Sequence, residues 1–196
     1  MRPASIFQIF ILTTLCTVLL ACGGDEEIAI NNNDSANDNA WSDFYGTFKG
    51  SAESVLSGEI SERELTVVIK PWEDKGFTVE WTTLIHRDTG KKKMTDLSID
   101  FYPSARPDIF ASAMRTDVFG RAVPYDPVGE EADPYVWAGL EDNTLTVSAL
   151  YIVEGGGYEL HVYKRSLSEK GLTLNFERLS NGDKVTRVSA QLDSVE

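Results

Sequence analysis

From Trp41 to the end of the chain the hydrophobic pattern has a period of two. Phe77, Val79, Trp81, Thr83 and Ile85 alternate with Thr78, Glu80, Thr82, Leu84 and His86, which predicts a half-buried antiparallel strand. The same alternation marks Leu65 to Ile69, Leu97 to Phe101, Leu145 to Tyr151, Tyr158 to Val162 and Leu172 to Phe176, and less regularly Val185 to Leu192. A first strand near Tyr45 to Ala52 and two more near Ile109 to Arg115 and Tyr135 to Leu140 bring the number to about ten. Turn-forming clusters separate them: Glu73 to Gly76, Asp88 to Lys91, Glu141 to Asn143, Gly155 to Gly157, Glu169 to Gly171 and Asn181 to Asp183. Short links of this kind join neighbouring strands of an antiparallel meander. Closure removes the edges that invite aggregation, so the pattern predicts an all-β, up-and-down barrel of eight to ten strands, with a two-sheet sandwich as the alternative. No sustained helical period occurs in this region, although Ala52 to Leu65 has room for a helical turn.

The pattern before Trp41 is different. Arg2 precedes an apolar run from Ile6 to Leu20, and the run ends at Leu19-Leu20-Ala21-Cys22. About 15 residues are too few for a spanning helix, which needs roughly 20, but they suit a secretory signal peptide. The four closing residues resemble the lipobox of bacterial lipoproteins. The resemblance implies removal of residues 1–21, acylation of Cys22 and attachment to a membrane through lipid. Gly23 follows the cysteine; in enterobacterial lipoproteins an aspartate there favours retention in the inner membrane, so glycine leans towards the outer one. A retained transmembrane helix and cleavage by an ordinary signal peptidase are the competing readings. Residues 23–40 are rich in Asn, Asp and Gly and carry two large apolar side chains, Ile28 and Ile30. Such a stretch buries too little to offset its ordering entropy. We therefore read residues 22–40 as an acidic tether, about 23 Å long as a coil and no more than roughly 60 Å when stretched, followed by one domain over residues 41–196.

Charge narrows the partners. The chain carries 31 acidic and 18 basic residues, a net charge of −13. This argues against nucleic acid or an anionic lipid surface as partner. The two cysteines are Cys16 and Cys22. One leaves with the leader and the other is the lipidation site, so the domain is expected to stand on its core without a disulfide.

Candidate chemistry is sparse. The two histidines, His86 and His161, each stand opposite the more apolar set of their strand, and their spacing makes no metal motif. No Gly-x-Ser-x-Gly elbow and no phosphate-binding glycine loop occurs, and Gly155-Gly156-Gly157 reads as a hairpin turn. The many carboxylates single out no pair. We expect no catalytic residue, no cofactor and no metal.

One stretch lacks strand period, Asp117 to Pro134, with three prolines and two glycines. Loops this long in a compact domain are often lids or binding loops. Phe119, Val123, Tyr125 and Val128 are placed to cover a barrel mouth and Arg121 to meet an acidic head group, so Phe119, Arg121 and Tyr125 are the candidate ligand-binding residues; a plug packed for stability is the plainer reading. Tyr45-Gly46-Thr47-Phe48-Lys49-Gly50 resembles the Gly-x-Trp opening strand of lipocalins and other calycin barrels, with Phe48 in place of the tryptophan. That resemblance implies a barrel holding an apolar molecule. Two function classes follow: a lipid-anchored, non-catalytic binding module for a small apolar or amphipathic ligand, or an interaction lipoprotein with a solid core that docks on another envelope protein. An interior of small residues with a few polar groups would favour the first, and one filled by Trp, Phe and Leu the second.

Overall fold

The computed structural model describes residues 40–56, 59–87, 90–115, 117–123, 126–129 and 133–195. The leader, the lipobox with Cys22, nearly all of the tether and Tyr125 lie outside the described residues.

A short 3-10 helix, Ala40–Phe44, leads into ten strands: β1 Gly46–Leu56, β2 Glu59–Trp72, β3 Gly76–His86, β4 Lys92–Pro103, β5 Ile109–Ser112, β6 Tyr135–Glu141, β7 Thr144–Ile152, β8 Tyr158–Ser168, β9 Gly171–Ser180 and β10 Asp183–Val195. Each pairs antiparallel with its sequence neighbours, and β1 pairs with β10 to close the barrel. Seven of the ten strands were legible from period-two alternation, and the other three, β1, β5 and β6, stand where the sequence placed additional strands. The region allowed a helical turn, 52–65, is instead the hairpin of β1 and β2. The irregular phase near Val185 is a β-bulge: the β9–β10 register slips between Lys184 and Thr186, and Val185 is left exposed.

Alternate residues point inwards, and the barrel is not uniform along its axis. At one end, the closed end, Ile69, Phe77, Val79, Phe101, Leu145, Leu172 and Leu192 are all 1% exposed or less. The 3-10 helix covers this end. Phe44 is fully buried, and the Trp41 ring meets Phe110 at 5.2 Å and Phe77 at 6.0 Å. Each such side chain contributes about 1.5–3 kcal/mol by leaving water. Gly50 lets the β1–β10 seam approach closely; a Cβ there would lie 2.2 Å from the Gln191 carbonyl oxygen.

The outer face carries Lys70, Glu80, Asp96, Lys164, Asn175, Glu177, Arg187 and Gln191, many of them paired across strands. This is the reverse of a membrane barrel, whose lipid-facing band is apolar.

Candidate functional site

The mouth, opposite the closed end, is lined differently. Following the register inwards across the strands puts Arg63, Trp81, Thr83, Ile85, Tyr151, His161, Tyr163, Phe176 and Arg178 on the inner face. Trp81, Tyr163 and Phe176 form a run of rings with centroids 5.3 and 4.7 Å apart. Tyr151 lies 4.7 Å from the His161 ring, which meets Phe176 edge-on at 5.7 Å. Deeper than these on β8 sits Arg165, 1% exposed, its guanidinium 5.2 Å from the Trp81 ring centroid and 5.5 Å from that of Tyr163.

This overturns the expected facing of β8. The alternation of Tyr158, Leu160 and Val162 suggested that these point inwards, with His161 outside. Pairing with β7 and β9 instead sets His161 opposite Ala149 and Arg178, Tyr163 opposite Val147 and Phe176, and Arg165 opposite Leu145 and Leu174. All four neighbours on the flanks of Tyr163 and Arg165 face the core, so these two must as well. Polarity misleads on this strand because the interior it faces is itself polar and aromatic. The recoverable sign was Tyr163 and Leu167 standing in phase with His161.

The electrostatics follow from burial. Among the described residues neither Arg63 nor Arg165 forms an ion pair, and Nε of Arg63, Nε and Nη1 of Arg165 and Nε of Arg178 are buried without a hydrogen-bond partner. Burial pulls the Arg165 guanidinium down to about 10, Tyr163 acting weakly the other way, so it remains charged at neutral pH. Burial also pushes the Tyr163 phenol up to about 12, with Tyr151 adding to the rise and Arg165 and Arg63 opposing it. Arg63 is lowered by burial, and Tyr151 is raised by burial and then by Glu159. At the rim, Glu159 Oε2 lies 3.3 Å from His161 Nε2 and 3.8 Å from Arg178 Nη1. Burial holds His161 below its usual range despite that hydrogen bond. His86, on the outer face, bonds Glu64 at 2.7 Å. Both histidines are thus satisfied by carboxylates. Among the described residues no three His, Cys, Asp or Glu side chains converge as metal ligands.

Among the described residues the wall of the mouth has a gap beside β5. β4 pairs with β5 only from Phe101 to Pro103, so the flank of β4 from Lys92 to Ile99 has no strand beside it among the described residues. Leu97, opposite Trp81 in the register, is 40% exposed there. The long loop leaves β5 at this end. Asp117 organises its first part, accepting hydrogen bonds from the Phe119 and Arg121 backbone N–H groups and from Arg121 Nε. Phe119 is 79% exposed with the Arg121 guanidinium stacked on it, and Val128 is also exposed. Phe119 and Arg121 are therefore engaged within the loop, apart from the ring cluster and the buried arginines.

Two surface clefts lie elsewhere. One of about 560 Å³ beside the 3-10 helix is lined by Trp41, Tyr45, Pro71 and Lys75 among others, and one of about 290 Å³ on the outer face of β8 to β10 by Val162, Lys164, Glu177 and Arg187. Both open to solvent, and each holds a paired ion: Lys75 with Glu73, and Arg187 with Glu177. Neither holds a buried donor without a partner, whereas the barrel mouth holds several.

No protein-family model matches this chain, and comparison with curated proteins found no match. The functional reading rests on the site.

Proposed function

We propose that this protein is a lipid-anchored lipoprotein of the bacterial cell envelope, held through acylated Cys22 in the outer membrane, whose barrel is a non-catalytic binding module for a small apolar or amphipathic ligand. The observation that carries the binding role is the contrast between the two halves of the interior. The closed end is packed solid by Phe, Leu and Val, while the mouth combines aromatic faces with hydrogen-bond donors that have no protein partner. A packing core has no use for such donors, since each one left unsatisfied costs about 1–3 kcal/mol. A binding site needs apolar surface with a few convergent polar groups.

The second reading, an interaction lipoprotein that docks on another envelope protein, draws on the solid closed end and on the exposed Val118, Phe119 and Val128 of the loop. One preparation separates these readings and tests the anchor. Changing Cys22 to Ser in the full chain should abolish acyl labelling and release the exported protein from membranes. Retention of label would sink the lipoprotein reading. Native mass spectrometry of the released protein should show a bound small molecule or uptake of an added apolar probe. A protein that takes up none, and co-purifies with a stoichiometric envelope protein, would belong to the second class.

A further inference from the structure

Arg165 carries five N–H donors and a permanent charge on a fork built for planar anions. It sits 1% exposed with Nε and Nη1 unpartnered. The rings of Trp81 and Tyr163 offset part of the cost of burying it, but an aromatic face supplies neither counter-charge nor acceptors for the in-plane N–H groups. Arg63 and Arg178 point the same way, each with a buried, unpartnered Nε. The carboxylate that approaches this group among the described residues is Glu159, and its Oε2 is already shared by His161 and Arg178. Three guanidiniums against one carboxylate leave an excess of two positive charges along the inner face of the mouth, in a protein whose net charge is −13. Composition does not explain that concentration. A buried cation without counter-charge is tolerated where something else provides one.

We propose that the barrel mouth binds the acidic head, a carboxylate or phosphate monoester, of a single-chain amphiphile. Arg165 lies at the floor of the site as its principal ligand, and Arg63 and Arg178 complete the clasp. Arg165 lies nearer the closed end than Tyr163, His161 and Glu159 on the same strand, so the head goes in first. The chain then runs outward from the level of Trp81 and Leu97 past Ile85, along the flank of β4 that among the described residues has no strand on its β5 side. Carboxylate and phosphate share the geometry that a guanidinium fork recognises in two parallel hydrogen bonds. The inference rests on the reading of the barrel as a ligand carrier.

The test uses the exported full chain carrying Cys22→Ser, titrated calorimetrically without detergent. The titrants are dodecanoate, dodecyl phosphate and dodecanol, each below its micelle-forming concentration, and inorganic phosphate. The anionic amphiphiles should bind at least about tenfold more tightly than dodecanol, the scale expected for one charge-assisted pair. Arg165→Met should bring them down to the level of dodecanol while raising the melting temperature of the free protein, since it removes an uncompensated buried charge. Equal binding of dodecanol and the anions would overturn the acidic head and leave a carrier of neutral ligands. Inorganic phosphate binding as tightly as dodecyl phosphate would overturn the amphiphile in favour of a free anion. Uptake of none of the probes would remove both this inference and the carrier reading beneath it. If Arg165→Met does not fold, half-exposed Arg63→Gln is measured instead: a several-fold loss of the anion preference supports the clasp, and an unchanged preference overturns it.

Discussion

His161 shows how one side chain reports on the polarity around it. Tyr151, Phe176, Glu159 and Arg178 surround it, and burial lowers its proton affinity more than the Glu159 hydrogen bond raises it. The sign of the effect on stability follows. The folded-state pKa lies below that of the unfolded chain, about 6.5, so the unfolded state holds a proton that the folded state lacks over the interval between them. The contribution is present above pH 6.5 and is lost as the pH falls through the lowered value. Asp117 and Glu177 are also lowered, Asp117 chiefly by the hydrogen bond from the Arg121 backbone and Glu177 by Arg187, but their losses fall in the carboxylate range. Chemical denaturation at pH 7, 6 and 5 should therefore show stability declining by no more than about 1.4 kcal/mol per pH unit on account of this one proton. In His161→Gln, which keeps a hydrogen-bonding group towards Glu159, the decline over this interval should flatten. An unchanged decline would place the titrating group elsewhere.

At the scale of elements, the loop between β5 and β6 poses the sharpest question. Its apolar residues Val118, Phe119 and Val128 are exposed, and two ion pairs form locally, Arg121 with Asp117 and Arg115 with Asp133. A plug would bury such groups. Since β5 and β6 are adjacent and antiparallel, a short Gly-Ser link can replace residues 117–132. The replacement should cost less than about 1 kcal/mol in a denaturant melt, because Val118, Phe119 and Val128 keep their apolar area in water in the native fold. The rate of uptake of an apolar fluorescent probe should change. A loss above that figure would mean the loop is structural. Strand order was readable because a meander makes every neighbour in space a neighbour in sequence, and because turns such as Asn181-Gly182 fix where each strand ends. The site was not readable. Phe119 and Arg121 stood out because they break the period, whereas Arg63, Tyr163, Arg165 and Arg178 keep it and look like ordinary polar positions of half-exposed strands. The register of β8 against β7 and β9, and of β2 against β1 and β3, sets them inwards.

For the molecule as a whole, the asymmetry between a sealed end and a donor-rich mouth locates most of the stability at the sealed end. The largest fully buried apolar side chains, Phe44, Phe77, Phe101 and Ile69, lie there. Phe77 stacks on Phe101 at 5.3 Å and meets Phe110 edge-on at 5.1 Å, and the 3-10 helix sets Trp41 and Phe44 over this cluster. The cap precedes the first strand, so it can be removed without cutting a hairpin. A chain beginning at Trp41 keeps both aromatic residues and contains no cysteine. It should melt in one cooperative transition, with a β-type circular dichroism spectrum and no response to reducing agent. A chain beginning at Gly46 retains every strand but loses the cap, leaving Phe77 and Phe110 open to water. Deletion of one fully buried phenylalanine costs about 3–5 kcal/mol, a large share of the 5–15 kcal/mol that holds a typical domain folded. The shorter chain should therefore unfold at a much lower denaturant concentration, or fail to fold at all, and an apolar dye should bind its uncovered end. Equal midpoints for the two chains would mean that the strands seal the closed end unaided.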